Sequence, residues 1–453
     1  MEVISQAPQP TIKCYHSILN GKAVKNLYQE FTPTSNYIAG KNLLSYNFEK
    51  SIDDFGGSFS FSVKEEVVSN YINLTFMDEV QPLDIIEISE SGMEQRIDFI
   101  GVVTKVSFGG IASNLNKTVT VSGKSIEWLF TYYNINTDMK ACIFQNEEAN
   151  NTFKTMLSNK NGSSPMRIKE IVDASYKMFK ERTEENKDIS NFVIGDLIKL
   201  WYGNDIFSVV DESFLFPISS NLFEEGKINV IDYIKKLLPS PIYEIYGTVN
   251  GLGKPKIVVR KVPYDNPIGT YTILPNLLID FTLTKSCEEV YTAFMPYIEG
   301  SSQSPEFYMN LTAAESNKEK GYDAATVNKN KVGIYGYQLL TCSFAGYNPE
   351  DAKNDINNTQ LKKLASDMNN WFGRLDDMYN GDFSIVNLPE KGAAKIGSWI
   401  RFAGGLFYIN AEKHTWQYGD NPIINYQVSR GAEYINGMFK PLKKLSYVYR
   451  EFD

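Results

Sequence analysis

Strict alternation of apolar and polar residues is the feature that most constrains the fold of this chain. In the segment SFSFSV, Phe59, Phe61 and Val63 recur at every second position, which is the period of a strand with one buried face. Similar short runs, separated by turn residues, continue to about residue 125. They predict a small antiparallel barrel or sandwich. Its strands are expected at Thr11–Tyr15, Leu43–Phe48, Ser58–Val63, Tyr71–Phe76, Asp84–Ser89, Arg96–Phe108 and Asn116–Ser125.

The period changes after Ser125. The segment SIEWLFTYYNI predicts a short helix or an irregular cover, and apolar residues then recur at spacings of three and four, which is helical. Gly203 and Pro239 provide stop signals for two of these helices. Residues 136–242 are therefore predicted to be mainly helical. The helices are expected at Glu147–Leu157, Ile168–Arg182, Asn191–Trp201 and Ile228–Leu238.

Alternation returns after Pro239. Two strands flank the glycine-containing turn Asn250–Gly253, and this pattern predicts a hairpin. A polar excursion at 300–380 contains one predicted helix, Asp355–Phe372. The remaining segments NLLIDFTLTKS, EEVYTAFMPYIEG, GDFSIVNL, GSWIRF, LFYINAEKHTWQ and NYQVSRG read as strands.

A faint internal repeat links the two β-rich parts. DIIEI, IDFIGVVTKV and TVTVSGK match SWIRF, LFYINAEKH and NYQVSRG in order, and Phe99 to Ser122 is 23 residues while Phe407 to Ser429 is 22. Two units of the same order on either side of a helical block predict a duplication. The fold class is thus β-rich α+β, with two similar antiparallel barrels and a helical insertion between them.

The composition argues against several classes of protein. Lys and Arg number 45 against 54 Asp and Glu, a net charge of −9, whereas nucleic-acid binders that neutralise phosphates are normally basic. No apolar run reaches the length of about 18 residues that suggests a membrane helix. The amino-terminal residues lack the regions of a signal peptide, so Sec export is not expected.

No catalytic, cofactor-binding or metal-binding residue is predicted. The sequence contains no P-loop, no His-Glu-x-x-His and no Gly-x-Ser-x-Gly. Of its two histidines, His414 lies in an alternating stretch and is expected to be a packed strand residue. The cysteines have no short spacing and are expected to be buried and reduced. They are Cys14, Cys142, Cys287 and Cys342.

Three segments resemble a known family. They are IDFIGVVTKVSF with TVTVSGKSIEWL, then YEIYGTVNGLGKPKIVVRKVP, and finally LFYINAEKHTWQYGDNPIINYQVSRG. The second contains Val258-Val259-Arg260 before Pro263, and the third ends in Ser429-Arg430-Gly431. Together, across residues 40–435, they resemble the baseplate hub of contractile phage tails and related injection machines, which includes the late-control tail proteins and the base of the type VI secretion spike.

The resemblance implies a non-enzymatic hub in the baseplate of a virion, assembled in the bacterial cytoplasm. It implies a homotrimer with two tube-type barrels per chain, so that a pseudo-six-fold ring joins a hexameric tail tube above to a three-fold spike or tail-tip protein below. Baseplate wedge and tape measure proteins are further expected partners, and DNA would pass through without specific binding. The expected domains are a barrel at 1–135, the helical insertion at 136–242, a barrel at 243–435 and a tail at 436–453.

Two alternatives remain open at this point. The chain could be the tail-tip protein of a non-contractile tail. Alternatively, its aromatic content of 13% could belong to a β-rich carbohydrate-binding adhesin, which would expose aromatic side chains in a groove. The stretch 181–232 has eleven acidic and four basic residues. It is interpreted as a solvated helical face.

Overall fold

A computed structural model describes residues 10–33, 43–64, 67–69, 74–91, 96–110, 117–136, 167–184, 192–210, 227–299, 326–345, 355–387 and 393–442. The strands are β1 (Thr11–Leu19), β2 (Lys22–Phe31), β3 (Leu43–Ser51), β4 (Ser58–Lys64), β5 (Val67–Ser69), β6 (Leu74–Thr75), β7 (Ile85–Ser89), β8 (Phe99–Gly110), β9 (Lys117–Ser125), β10 (Asn134–Asn136), β11 (Phe207–Val209), β12 (Lys227–Asn229), β13 (Tyr243–Val249), β14 (Pro255–Lys261), β15 (Thr270–Thr272), β16 (Leu278–Thr284), β17 (Ala293–Glu299), β18 (Thr326–Val327), β19 (Leu339–Ala345), β20 (Tyr379–Val386), β21 (Trp399–Phe402), β22 (Gly405–Gln417), β23 (Ile423–Ile435) and β24 (Met438–Lys440).

The described α-helices are α1 (Phe76–Glu79), α2 (Ile168–Glu184), α3 (Val193–Tyr202), α4 (Val230–Leu237), α5 (Lys329–Tyr335) and α6 (Asp355–Phe372). Short 3₁₀ helices lie at Ile126–Tyr132, where the sequence predicts a short helix or an irregular cover, and at Pro275–Leu277 and Leu375–Asp377. The predicted helices at Ile168–Arg182, Asn191–Trp201, Ile228–Leu238 and Asp355–Phe372 are confirmed to within a few residues. The helix expected at Glu147–Leu157 lies outside the described residues. No helix in the described part of the chain is long and apolar enough to cross a lipid bilayer.

One large sheet contains most strands of both β-rich parts. Its order is β16-β20-β23-β22-β3-β4-β9-β8-β7-β1-β2, with β21 on β22, β15 on β21 and β24 on β23. All neighbouring strands along this path pair antiparallel, as the alternating patterns predict. The prediction of two barrels is not confirmed, because the described strands form one open sheet and no closed barrel.

The two parts of this sheet share one topology. Strands β3, β4, β7, β8 and β9 lie in the order β3-β4-β9-β8-β7, and β16, β20, β21, β22 and β23 lie in the order β16-β20-β23-β22-β21. We call these the first and second blocks. In each block the first, second, fifth, fourth and third strands along the chain are neighbours in space. The faint sequence repeat therefore has a counterpart in strand order.

Irregularities in the ladders align the two blocks residue by residue. The register shifts between Val103 and Lys105 in β8, and it shifts between Ile409 and Ala411 in β22. This alignment pairs Gly101 with Phe407, so the sequence match of Phe99 with Phe407 is two residues out of register. Both ends of that match are displaced by the same two residues. The matched residues therefore still lie on equivalent faces of their strands and still have the same separation along the chain.

A stronger repeat lies in the first strand of each block. LLSYNFEKS in β3 and LIDFTLTKS at 278–286 share leucine at the start, an aromatic residue in the middle and Lys-Ser at the end. Each strand also has a register shift after its first residue, between Leu43 and Ser45 and between Leu278 and Asp280. This signal is present in the sequence, whereas the repeat predicted above covers only the last three strands of each block.

Three apolar clusters hold the chain together. The first block has its own cluster, which includes Phe59, Phe61 and Phe99, all buried. The second block has another around Phe383 and Phe407. The largest cluster joins α2, α3, α4 and the β13–β14 hairpin to the sheet. The alternating residues therefore form the core, as the sequence predicts.

Several details differ from the sequence predictions. The strand expected at Tyr71–Phe76 is wrong at its end, since Phe76 begins α1, where Thr75 and Asp78 form a capping box. Strand β2 and helix α5 were not predicted, because neither has a clean apolar period. Cys14 and Cys342 are buried and free, but Cys287 is exposed in the polar segment after β16. Cys142 lies outside the described residues.

Replacing Phe59 or Phe99 with Asp tests the first core. Each would bury an unpaired carboxylate, and we expect the free energy of unfolding to fall by more than about 4 kcal/mol. Urea denaturation followed by circular dichroism measures this. Ser60→Asp is the matched control, because Ser60 lies between two core positions on the opposite, partly exposed face. A folded Phe99→Asp protein of wild-type stability would contradict the assignment.

Candidate functional site

The junction between the two blocks is formed by a strand pair. β3 of the first block pairs with β22 of the second, from Ser51 opposite Ala411 to Ser45 opposite Gln417. We call this pair the seam. Aromatic residues stack across its buried face: the Phe48 ring lies 4.3 Å from His414, and the Tyr46 ring lies 5.7 Å from Trp416. The seam therefore joins the blocks by both backbone bonds and packing.

A buried charge cluster lies beneath the seam. Glu90 accepts hydrogen bonds from Tyr46 (3.0 Å) and Asn387 and contacts His414 Nδ1 at 3.0 Å. Glu412 lies 3.9 Å from His414 Nε2. Lys395 Nζ approaches Asp98 at 3.5 Å. Glu90, Tyr46 and Asp98 precede the helical segment, whereas His414, Glu412 and Lys395 belong to the second half, so the cluster ties the halves together.

The environment keeps these groups charged. Burial alone would lower the pKa of His414, but the charges of Glu90 and Glu412 outweigh it and raise that pKa to about 9. Burial would raise the pKa of Glu90 and of Glu412, yet His414 and Lys395 shift both below their ordinary value. At neutral pH the imidazolium and the carboxylates are all ionised, which is the state that a paired buried cluster requires.

Two further buried contacts fasten the middle of the chain to the sheet. Lys50 on β3 donates to Glu127 at 3.1 Å, in a site closed by Gly247 of β13. Arg260 on β14 donates to Glu244 at 2.6 Å, and Tyr408 on β22 donates to the same carboxylate at 2.6 Å. Glu244 is thus shared between the hairpin and the sheet.

The two open edges of the sheet differ from each other. At one end α3 packs against β2, and Lys25 of β2 lies 3.9 Å from the Trp201 ring of α3. At the other end β16 pairs only with β20 among the described strands. Ile279 of β16 is 51% exposed. The β16 edge is therefore uncovered in the described chain.

A second unfilled edge lies on β8. In β22, residues Gly405–Tyr408 pair with β21, and Ala411–Gln417 pair with β3 on the same side. In β8, Phe99–Val102 pair with β7, but Lys105–Gly110 have no strand on that side within the described residues. Phe108 in this stretch is 45% exposed. The first block therefore lacks the partner that β3 supplies to the second.

One face of the sheet is lined by small polar side chains. They alternate with the core residues and are partly or fully exposed. They include Ser60, Ser62, Thr120 and Ser122 of the first block, and Asp382, Ser384, Thr282 and Thr284 of the second. Ser62 and Thr120 are hydrogen bonded at 2.9 Å. The same face also carries charged residues of both signs, including Glu49 and Lys413, which lie opposite each other in the seam.

His414, expected to be a packed strand residue, is confirmed as fully buried in β22. Glu90 and Lys50 were not found from the sequence, because their partners are far away along the chain. Glu244 and Arg260 lie opposite each other in the predicted β13–β14 hairpin, but the sequence assigns no role to this pair. No group of three or more potential metal ligands occurs among the described residues. In the acidic stretch 181–232, Asp205 pairs with Lys256 and Glu181 with Lys177.

Comparison with known proteins identifies the fold. No family model matches the chain, and no curated protein matches it. Among solved structures, a tail protein from Neisseria meningitidis MC58 superimposes with a TM-score of 0.50, at 9% identity, over 95% of this chain and 98% of that one. The chain therefore shares the fold of that tail protein, which confirms the resemblance inferred from sequence at the level of the fold.

Two further solved structures are similar over most of this chain. The 43 kDa tail protein of prophage MuSo2 from Shewanella oneidensis has a TM-score of 0.47 at 10% identity, over 94% of this chain and 97% of that one. A chain of the Francisella PdpA-VgrG complex has a TM-score of 0.41 at 11% identity, over 97% of this chain and 55% of that one.

The charge cluster predicts a pH dependence. The pKa of His414 is raised to about 9 in the folded chain against about 6.5 unfolded. The contribution of His414 to the free energy of unfolding is therefore complete below about pH 6.5 and is lost as the pH rises through 9. Over that window we expect wild type to lose on the order of 3 kcal/mol more than His414→Gln. Thermal unfolding at stepped pH measures this.

Lys413→Gln is the control for the histidine variant, since Lys413 is an exposed neighbour on the same strand. It should keep the wild-type pH profile. Parallel profiles for wild type and His414→Gln between pH 6.5 and 9.5 would show that His414 is not held as a cation.

Gly247 leaves room for the buried Lys50–Glu127 pair. A Cβ at this position would lie 2.0 Å from Glu127 Oε1, so Gly247→Ala must displace the carboxylate. We expect a loss of about 1–3 kcal/mol in the free energy of unfolding, measured in urea. Gly251→Ala is the control, because no atom lies within 4 Å of its Cβ. Equal stability of the two variants would contradict this reading.

Proposed function

We propose that this chain is the structural, non-enzymatic hub at the base of a phage tail or phage-like injection particle. In this role it forms a homotrimeric ring that joins a three-fold spike or tail-tip protein to a six-fold tail tube. The proposal rests on the seam and on two strand edges, β16 and Lys105–Gly110 of β8. The repeat makes these edges equivalent to the two strands of the seam, but they have no partner strand there in the described chain. The fold shared with a tail protein supports the setting.

The repeat specifies how one copy would join the next. Within a chain, β3 is the first strand of the first block and pairs with Ala411–Gln417 of β22 in the second block. The repeat makes β3 equivalent to β16 of the second block, and it makes this part of β22 equivalent to Lys105–Gly110 of β8 in the first block. These are the two uncovered edges of the described chain. Because uncovered strand edges invite pairing, β16 of one copy is expected to pair with β8 of a neighbour.

The register of this contact follows from the seam. Transferring the pairs of β3 and β22 through the repeat places Lys105 opposite Ser286, Ser107 opposite Thr284 and Phe108 opposite Leu283. Phe108 and Leu283 then cover each other, as His414 and Phe48 do within the chain. A contact between two different surfaces of identical chains closes into a ring when its rotation is cyclic.

Three copies with two blocks each give six blocks in such a ring. This number matches a six-fold tube and keeps three-fold symmetry for a spike. Residues 1–135 and 243–435 would form the ring, and residues 136–242 would lie outside it. The face of small polar side chains would line the channel, where small residues and charges of both signs suit the passage of DNA without specific binding. Wedge and tape measure proteins are further proposed partners.

A disulfide between copies tests the assembly. In a Cys287→Ser background, Ser107→Cys with Thr284→Cys would face each other across the predicted contact, since both lie on the polar face. We expect mild oxidation to give covalent trimers on non-reducing gels, and we expect native mass spectrometry of the wild type at high concentration to give a trimer. Negative-stain images should show rings with a central hole.

The matched control replaces Thr284→Cys by Asp382→Cys. Asp382 is exposed one strand further into the sheet, on β20, and is too far from Ser107 in the proposed register to form a disulfide. Equal cross-linking of both pairs would reject the register. A wild-type chain that stays monomeric or dimeric, without cross-linked trimers, would reject the hub itself.

A further inference from the structure

A cavity of about 310 Å³ lies at the meeting point of α4, the β13–β14 hairpin, β22 and the end of α6. Its walls include Leu238, Tyr243, Val262 and the rings of Trp371 and Phe372. Two cationic side chains, Lys235 and Arg430, also line it. The cavity therefore combines apolar walls with positive charge, which is the usual make-up of a site for a small anionic group.

Arg430 has no carboxylate partner among the described residues. Its guanidinium donates only to neutral oxygens, Trp371 O at 3.3 Å and Ser429 Oγ at 2.9 Å. Arg260, which also lies near Glu244, is by contrast paired with that carboxylate at 2.6 Å. Burial lowers the pKa of Arg430 to about 10, as expected for a cation that lacks a close counter-ion.

The side chain of Arg430 is held in place. Its guanidinium lies 3.9 Å from the Trp371 ring, and its backbone N–H donates to Asn380 Oδ1 at 3.2 Å. The residue has a φ of 58°, an uncommon conformation for a non-glycine residue. The repeat places Ser125 at the equivalent position of the first block. The shared topology therefore does not itself require an arginine here.

We propose that this cavity is a binding site for a carboxylate on a short aliphatic stem, such as the side chain of Glu, with Arg430 as its main ligand. The planar guanidinium offers paired N–H donors that match the two oxygens of a carboxylate. Lys235 supplies a second positive charge, and the apolar walls accommodate the methylene groups. The carboxylate can come from a partner protein or from a free dicarboxylic acid.

The local charges favour a carboxylate over a phosphate. Glu244 also lines the cavity, but Arg260 and Tyr408 already satisfy it. Asp53 is an exposed acidic residue among the lining residues. Among the lining residues outside the Glu244–Arg260 pair, Arg430 and Lys235 are cationic and Asp53 is anionic, which leaves one positive charge for a single carboxylate. Glu289, which does not line the cavity, also acts on Arg430 through its charge. A dianionic phosphate would carry an uncompensated charge into a partly buried site. This proposal stands independently of the trimeric ring.

Calorimetric titration of the full chain tests the site. The probes are N-acetyl-glutamate N-methylamide, its neutral glutamine counterpart and free glutarate. We expect the glutamate probe to bind and the glutamine probe to bind roughly tenfold more weakly or worse. A preference for the blocked amino acid over glutarate indicates a protein side chain as the natural ligand, and the reverse preference indicates a free acid.

Variants connect the binding to Arg430. Arg430→Gln should weaken glutamate-probe binding by roughly tenfold or more, while Arg401→Gln, at an exposed arginine of β21, should leave it unchanged. If Arg430→Gln does not fold, Lys235→Gln on α4 replaces it and should weaken binding to a smaller degree. No binding of either carboxylate probe, equal binding of the glutamine probe, tighter binding of inorganic phosphate, or unchanged binding by the lysine and arginine variants would overturn the proposal.

Discussion

The strand pair between β3 and β22 is the constraint on which the rest of this structure depends. Without it the two blocks would be separate sheets, each with one more exposed edge. With it, β3 of the first block pairs with the part of β22 that β21 leaves free. The cluster around Glu90 and His414 lies beneath this seam. A shift of one residue would turn Phe48 and His414 to the opposite face, so packing fixes the register.

The buried charges add to this specificity. Removing carboxylates and an imidazolium from water costs several kcal/mol per ion, and pairing only offsets that cost. The pairs instead disfavour other arrangements of the two blocks. The Glu90 carboxylate has all its contacts only when Tyr46, Asn387 and His414 lie beside it together. The same holds for Glu244 between Arg260 and Tyr408. A misdocked block would leave these charges buried without partners, which is far less stable.

Much of the fold could be predicted from the sequence because it depends on short periods. The alternation of Phe59, Phe61 and Val63 predicts β4, and spacings of three and four residues predict α2 and α6. The charge clusters could not be predicted, since Glu90 and His414 are 324 residues apart and nothing local marks them as partners. The single continuous sheet was missed for a related reason. Alternation specifies which face of a strand is buried, but not which strand lies beside it.

The edges of the sheet explain why a duplicated chain would also assemble. β2 is protected in the usual ways: α3 covers it, lysines lie along it, and its ladder with β1 has two register shifts. β16 is less protected in the described chain: it contains no lysine, its ladder with β20 has a single register shift, and it exposes Ile279. If an unpaired edge had no consequence for this protein, the β2 and β16 edges would be expected to be equally unprotected. Protection at one end, and bare strands at the two positions that the repeat makes equivalent to the seam, are what the proposed contact between copies would require.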